Sequence, residues 1–440
     1  MISVAEHRRR ILETVRRLAP QQVPVTQAQG CVLAKDVEAL VPLPGFDNSA
    51  MDGYIVGAAD VAGLPAPDSA DSAEASDAPE GAGQPVRLPV DGDIPAGDTR
   101  QLRLEPGHAY RIMTGAPIPA GGDVVIPVEL TDGGTEYVTL HAADAPGRHI
   151  RRAGEDVHAG DIVLRAGTVL GARQLAIAAA VGAGELSVYP RPRVVCLSTG
   201  DELLPPGSVP GFGQVVDSNG LMLAAALREA GFDARAGGVV LDTEEAVTAA
   251  LDAALADADA IVTTGGVSMG AYDAVKAALS SLGTVAFDKV AMQPGKPQGF
   301  GTLGEREVPV FTLPGNPVSA LVSTEVFVLP ALRTMAGLPV EPAPPPRARV
   351  LDGWPSPPGR AQFVRVIVEE AQAEPWMGAA SGTAGPPGPS LRSAGGQGSH
   401  VLQALADADA LAYVPADVTR VEPGDLLGYR RLGQQGWAAE

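Results

Sequence analysis

The sequence predicts a multi-domain α/β protein: a central three-layer α/β/α domain with a mainly parallel sheet, a mixed N-terminal region with an inserted β domain, and a small, barrel-like C-terminal β domain. Three observations predict it. The chain has 440 residues, enough for about three domains of ordinary size. Between residues 191 and 338, strand-like apolar runs alternate with helix-like runs, the pattern of a parallel sheet covered by helices. On either side, the apolar runs are short and broken by Gly and Pro, as in β structure.

Taken in order, the first element is a helix. Ile11, Val15 and Leu18 lie at helical spacing, Glu6 and Glu13 interrupt the basic run around Arg8, Arg9 and Arg10, and Pro20 ends the pattern. The same features argue against a transit sequence. Short strands are expected at 109–113 and 123–127, and a helix at 173–181. The central alternation runs 193–197 then 220–230, 260–263 then 273–282, and 308–313 then 318–335. Strands return at 361–368 and 410–414. Residues 65–84 and 371–390 are rich in Ala, Pro, Gly and Ser without periodicity, and read as surface insertions that carry no chemistry.

Composition excludes several classes. Hydrophobic residues make up 45% and charged residues 19%, so wholesale disorder is excluded. The net charge of −20 argues against nonspecific binding to nucleic acid or an anionic membrane. Cys31 and Cys196 form no disulfide framework, and Cys196 sits in an apolar run that reads as core. No apolar run reaches the length of a membrane span and no signal peptide is seen, so a reducing cytoplasm is expected.

The chemistry concentrates where the central strands end. Ser198, Thr199, Gly200, Asp201 and Glu202 follow one strand; Thr264, Gly265, Gly266 and Ser268 follow another; Pro314, Gly315, Asn316 and Ser319 follow a third. In an open α/β sheet such turns meet at the carboxyl ends of the strands, where ligands bind. Glycine admits backbone N–H groups close to a ligand, and helix N-termini favour anions. Three such turns point to a phosphate-bearing ligand. Carboxylates repel phosphate, so Glu202, Asp217, Asp242 and Asp273 near these turns need a reason. One reading is helix capping, above all for Asp217 and Asp242. The other is a divalent cation, Mg²⁺, held by Glu202, Asp242 and Asp273 and sharing its shell with phosphate. Only Lys35, Lys276, Lys289 and Lys296 stand among 32 basic residues. Where Arg serves most basic positions, Lys289 and Lys296 read as point charges for an oxyanion.

The segments PGFDNSAMDGY (44–54), RIMTGAPIP (111–119), STGDEL (198–203), TTGGVSMGAYD (263–273), PGKP (294–297), LPGNPVSA (313–320) and GGQGSH (395–400) follow one another along the chain. In this order the chain resembles the molybdopterin molybdenumtransferase family, related to the second catalytic domain of gephyrin. STGDEL and GGVS alone also occur in single-domain adenylyltransferases; the full set is specific.

The resemblance implies four structural domains, at 1–53 with 150–190, 54–149, 191–340 and 341–440. It implies an elongated homodimer whose active site lies between the central domain of one subunit and N-terminal segments of the other. The substrates it implies are adenylylated molybdopterin and molybdate, with a divalent metal and release of AMP. Partners would be the molybdopterin adenylyltransferase and molybdoenzyme chaperones. Carried over, Asp52 and Thr114 are contributions of the N-terminal half, and Glu202, Asp242 and Asp273 are the functional acids. Lys289, Lys296, Arg365 and Ser399 become molybdate-side residues, and Pro314, Gly315, Asn316 and Ser319 part of the pterin-phosphate pocket. Asp242 or Asp273 would bind the metal or position water. Gln293 stands where many family members carry lysine, which removes a charge near the oxyanion. Two rival readings are a non-enzymatic dimeric scaffold and the adenylyltransferase of the preceding step; the latter leaves the N-terminal region unused.

Overall fold

The computed structural model describes residues 1–67, 83–266, 274–281, 285–340, 344–370 and 388–433. The expected insertions at 65–84 and 371–390 lie mostly outside the described residues. The chain divides into two units, Val23–Gln29 with Lys35–Leu186, and Met1–Gln22 with Gly30–Ala34 and Ser187–Glu440.

In the first of these units, β1 (Gly53–Val56), β2 (Val86–Ile94), β3 (Ala109–Ile112), β4 (Val124–Pro127) and β5 (Tyr137–Leu140) form one sheet, ordered β4-β1-β3-β2-β5. Alternate residues of a strand face opposite sides. Tyr54, Val56, Val124 and Ile126 therefore build one core, and Ile55, Val125 and Ile112 another. Burial on both faces explains why β1 and β4 are unbroken apolar runs. Gly53 is required at the start of β1, because a Cβ there would lie 1.9 Å from the Ile126 carbonyl oxygen.

The second unit opens with α1 (Val4–Thr14), capped by the Ser3 hydroxyl, which accepts the Glu6 N–H at 3.0 Å. The helix stops short of the expected Leu18. Val15 is extended (φ −69°, ψ 143°) but still enters the core, and the Leu18 N–H donates to the Met335 carbonyl rather than to a carbonyl of α1. Tertiary partners for the backbone thus replace the last turn.

His7 on α1 is 3% exposed, stands edge-on to Phe327 and lies 3.5 Å from Asp288. Burial pushes its pKa down to about 4, against the opposing pull of Asp288. Between about pH 6.5 and 4 the unfolded chain takes the proton and the folded chain does not. Acidification through this window should therefore remove roughly 3 kcal/mol of the stability that His7 contributes, against an opposite slope from Glu325. His7→Gln should flatten this slope in urea titrations followed by tryptophan fluorescence; an unchanged slope refutes it. All three tryptophans lie in this unit.

The central sheet contains β6 (Arg193–Thr199), β7 (Asp233–Val240), β8 (Ala260–Thr264), β9 (Ala286–Lys289), β10 (Pro297–Leu303) and β11 (Val308–Leu313), ordered β7-β6-β8-β11-β10-β9. The first four run parallel, β10 runs antiparallel to β11, and β9 is antiparallel to β10 in turn. Helix α2 (Asn219–Glu229) packs Leu223 and Leu227 against Val194, Cys196 and Val262 on one face. Helices α3 (Glu244–Leu255) and α4 (Ala274–Ser281) pack Val247, Leu251, Val275 and Leu279 against Val195, Ile261 and Val310 on the other. This is the expected three-layer arrangement. Burial pushes the Cys196 thiol up to about 12, so it is an inert core residue.

Helix α5 (Pro317–Ser323), a π turn (Thr324–Val328) and α6 (Leu329–Met335) run on as one apolar stretch. Contrary to the reading from sequence, this helical run is long and apolar enough to cross a membrane. It is, however, 94% buried inside the protein, which makes it a core helix.

The strands β12 (Arg347–Val350), β13 (Ala361–Glu369), β14 (Ser390–Ser393), β15 (Ala410–Val414) and β16 (Leu426–Arg431) follow. They are ordered β13-β14-β12-β16-β15, and β13 also pairs with β15, closing a five-stranded barrel. Val350, Val364, Val366, Leu391 and Ala412 fill its interior. Closure leaves no free edge among these strands.

Candidate active site

The connection from β6 leads through α2 on one face of the sheet. The connection from β8 leads toward α4 on the other. The carboxyl ends of β6 and β8 therefore flank the topological switch point of the sheet, where open α/β folds bind ligands. Three turns meet there. Gly265 follows β8, and its N–H donates to Leu313 at the end of β11. Gly200 follows β6, and its N–H donates to Val240 at the end of β7. A Cβ on Gly315 would lie 3.6 Å from the Gly265 Cα, so the β8 and β11 turns touch.

Ser198 and Thr199, expected to offer hydroxyls to a ligand, are 0% and 6% exposed. The Thr199 hydroxyl donates to the Thr264 carbonyl at 3.2 Å, and Ser198 Oγ accepts from the Thr264 hydroxyl at 3.4 Å. These hydroxyls tie the strand ends together. Ser319 is likewise buried, in the first turn of α5.

The capping reading holds for Asp217 and fails for Asp242. Asp217 is a cap: its Oδ1 accepts the N–H groups of Asn219 and Gly220 at the start of α2. Asp242 is not, because Thr243 caps α3 by accepting the Ala246 N–H. The Asp242 N–H donates to Asp201 Oδ1 at 2.9 Å, which brings these two acids together. Glu202 folds its carboxylate over Gly200, where a Cβ would stand 2.6 Å away. No group of three metal-ligating side chains converges among the described residues. The hard carboxylate oxygens of Glu202 and Asp242 have the chemistry to hold Mg²⁺, which one or two carboxylates bind together with substrate oxygens. Asp273, Ser268 and the rest of the 267–273 segment lie outside the described residues.

The lysines stand at the same end of the sheet. β10 runs antiparallel to β11, with Gly299 opposite Thr312, so the start of β10 lies beside the end of β11. Lys296 immediately precedes that start, and Lys289 pairs with Pro297. The Val290 N–H donates to the Lys296 carbonyl at 2.7 Å, holding the two segments together. Neither ammonium has an ion pair recorded among the described residues. Gln293 pairs in register with Gln362, next to this segment.

Arg365 departs from its expected part as an oxyanion contact. It is 1% exposed, and its guanidinium donates to the carbonyls of Val401, Gly396 and Gly398. Burial without a carboxylate lowers its pKa. It orders the loop that carries Ser399. Ser399 itself reaches the β11 turn: Asn316 Nδ2 donates to its hydroxyl at 2.9 Å, and the Val318 N–H donates to its carbonyl at 3.3 Å.

In the other unit, pairing of β1 with β3 places Gly53 opposite Ile112 and brings the ends of two conspicuous segments together. Thr114 donates both its N–H (2.6 Å) and its hydroxyl (2.7 Å) to Asp52 Oδ1. These bonds hold the Asp52 carboxyl below the usual carboxylate range. Sequence reasoning missed Asn219, whose Nδ2 donates to the Gly315 carbonyl at 2.7 Å and so joins α2 to the β11 turn. Its position at the head of a helix, beside a capping aspartate, is a signal only for a cap.

Comparison with known proteins finds matches along most of the chain. Residues 2–182 match the MoeA N-terminal region (domain I and II), 195–334 a probable molybdopterin binding domain, and 347–429 the MoeA C-terminal region (domain IV). Molybdopterin molybdenumtransferase 2 of Mycobacterium tuberculosis is 46% identical over 434 residues, 97% of this chain and 98% of that protein. Molybdopterin molybdenumtransferase 1 of the same organism is 38% identical over 438 residues, 99% of this chain and 100% of that protein. A crystal structure of the molybdopterin biosynthesis MoeA protein from Pyrococcus horikoshii superposes with a TM-score of 0.73 at 28% identity, covering 99% of this chain and 100% of that one. Matching domains in the same order, with identity of this extent over nearly full length, show that the chain belongs to the molybdopterin molybdenumtransferase family.

Proposed function

We propose that this chain inserts molybdenum from molybdate into molybdopterin, taking the adenylylated pterin and releasing AMP and the molybdenum cofactor. The observation that carries the reading is the meeting of three glycine-bearing turns at one switch point, with Lys289 and Lys296 at the same end of the sheet.

The phosphate-bearing substrate lies against the turns at 199–202 and 314–316, where glycine lets the backbone approach. Lys289 and Lys296 offset the charge of molybdate and hold it toward the dithiolene sulfurs. Glu202, with Asp242 or Asp273, would hold Mg²⁺, which when bound polarises the adenylyl phosphate as a Lewis acid. Asp242 or Asp273 alternatively orients water. Asp52 is ionised, and with Oδ1 taken by Thr114 its Oδ2 is the oxygen left to accept a donor from substrate. With this activity go a homodimer, a cytoplasmic setting, and exchange with the molybdopterin adenylyltransferase before it and molybdoenzyme chaperones after it.

Purified protein given adenylylated molybdopterin, molybdate and Mg²⁺ should release AMP in a molybdate-stimulated reaction. Binding without turnover would favour the scaffold, and adenylylation of free molybdopterin from ATP would favour the preceding enzyme. Light scattering tests the dimer. Lys296→Gln should raise the KM for molybdate about tenfold or more, the loss of one charge-assisted hydrogen bond. An unchanged molybdate KM would remove Lys296 from the oxyanion site.

A further inference from the structure

The loop that delivers Ser399 to Asn316 contains Gly395, Gly396 and Gly398, three residues with wide backbone freedom. Left alone, such a loop would lose considerable entropy on being fixed. Two groups fix it. One is the Arg365 guanidinium, which gathers the carbonyls of Gly396, Gly398 and Val401 from beneath. The other is the side-chain amide of Gln397. Its Oε1 accepts the Arg365 N–H at 3.1 Å, and its Nε2 lies within hydrogen-bond distance of the Arg365 carbonyl (3.2 Å), Ser393 Oγ (3.1 Å) and the Gly395 carbonyl (3.0 Å). The amide thus pairs with the backbone of one residue on β13 as a neighbouring strand would. From there the loop passes through Gly398 to Ser399, whose hydroxyl and carbonyl both engage the β11 turn.

We propose that Gln397 is a positioning residue: by clipping the glycine-rich loop to β13 it sets Ser399 against Asn316 in the substrate site. The role rests on the transferase reading above, because it matters for catalysis only if Ser399 and Asn316 meet substrate. Gln397 acts through the loop and touches no reacting atom.

Gln397→Met keeps the size of the side chain and deletes its polar bonds. In the full-length protein it should lower kcat/KM for molybdate-dependent AMP release by about tenfold to thirtyfold. In a Ser399→Ala background the same change should cost less than about twofold, since the group it positions is gone. Equal losses in both backgrounds would overturn the proposal and leave Gln397 a general structural residue. Amide exchange tests the clip independently of activity. Amides of 398–401 and of Val318 should exchange at least about tenfold faster in Gln397→Met, with those of the barrel strands unchanged. Unchanged exchange at these amides refutes the clip. No turnover in the wild-type chain counts against the transferase reading, while exchange still decides whether Gln397 holds the loop.

Discussion

Replacing Gly265 with alanine is expected to cut molybdate-dependent AMP release by at least about a hundredfold. Gly265 has φ +93°, a conformation that costs an L-residue roughly 1–2 kcal/mol. Space is the larger obstacle. A Cβ there would lie 2.5 Å from the Thr199 carbonyl oxygen and 2.8 Å from its hydroxyl oxygen. The first obstacle is backbone, and Thr199 is 6% exposed, so no side-chain rotation relieves it. The ends of β6 and β8 must separate, and Gly315, packed on Gly265, moves with them. A shift of about 1 Å in a reacting geometry costs on the order of a hundredfold in rate. Gly207→Ala is the control: its φ is +91°, but nothing lies within 4 Å of its Cβ position. It should lose stability by roughly the same 1–2 kcal/mol and keep its turnover. Equal loss of activity in the two variants would show that backbone strain, rather than closure of the switch point, was being measured.

The parts of this site visible from sequence are those where one residue type answers one geometric demand. Glycines mark the turns after β6 and β8, where Gly200 and Gly265 have positive φ and a Cβ would meet close neighbours; Gly315 after β11 carries no such demand. The alternation of apolar runs gives β6, β8 and β11, whose faces are buried on both sides. It misses β7, an edge strand with mostly exposed side chains and a Gly237–Gly238 pair that supplies no apolar signal. Hydroxyl direction is also invisible to a pattern. Ser198 and Thr199 have the chemistry of ligand donors, yet their neighbours across the sheet claim them. Arg365 shows the same limit from the other side. Charge suggests an anion, but three loop carbonyls satisfy its donors, and only the folded loop supplies them. Asp52 and Thr114, far apart in the chain, meet through the pairing of β1 with β3, a register that no local pattern specifies.

Above about pH 6.5, the stability of the unit that holds the central sheet should fall with rising pH, and Glu325→Gln should remove much of the fall. Glu325 sits in the π turn between α5 and α6 and is 2% exposed. Burial pushes its carboxyl up to about 8; Arg430 and the Gly433 N–H pull the other way, and Glu229 adds to the rise. A carboxyl raised on folding keeps its proton in the folded state while the unfolded chain releases it. Its contribution is complete below about pH 4.5 and is lost as pH climbs through about 8, for a total on the order of 5 kcal/mol. His7 has the opposite sign between about pH 4 and 6.5, so the two slopes oppose each other there and Glu325 stands alone above it. Glutamine keeps the shape and cannot ionise. At pH 8.5 the variant should be more stable than the wild type by a few kcal/mol, and near pH 5 the two should converge or reverse. Urea titrations followed by tryptophan fluorescence from pH 5 to 9 measure both curves. Parallel curves across that range would mean that Glu325 is already charged in its buried setting, with Arg430 offsetting the cost of burial.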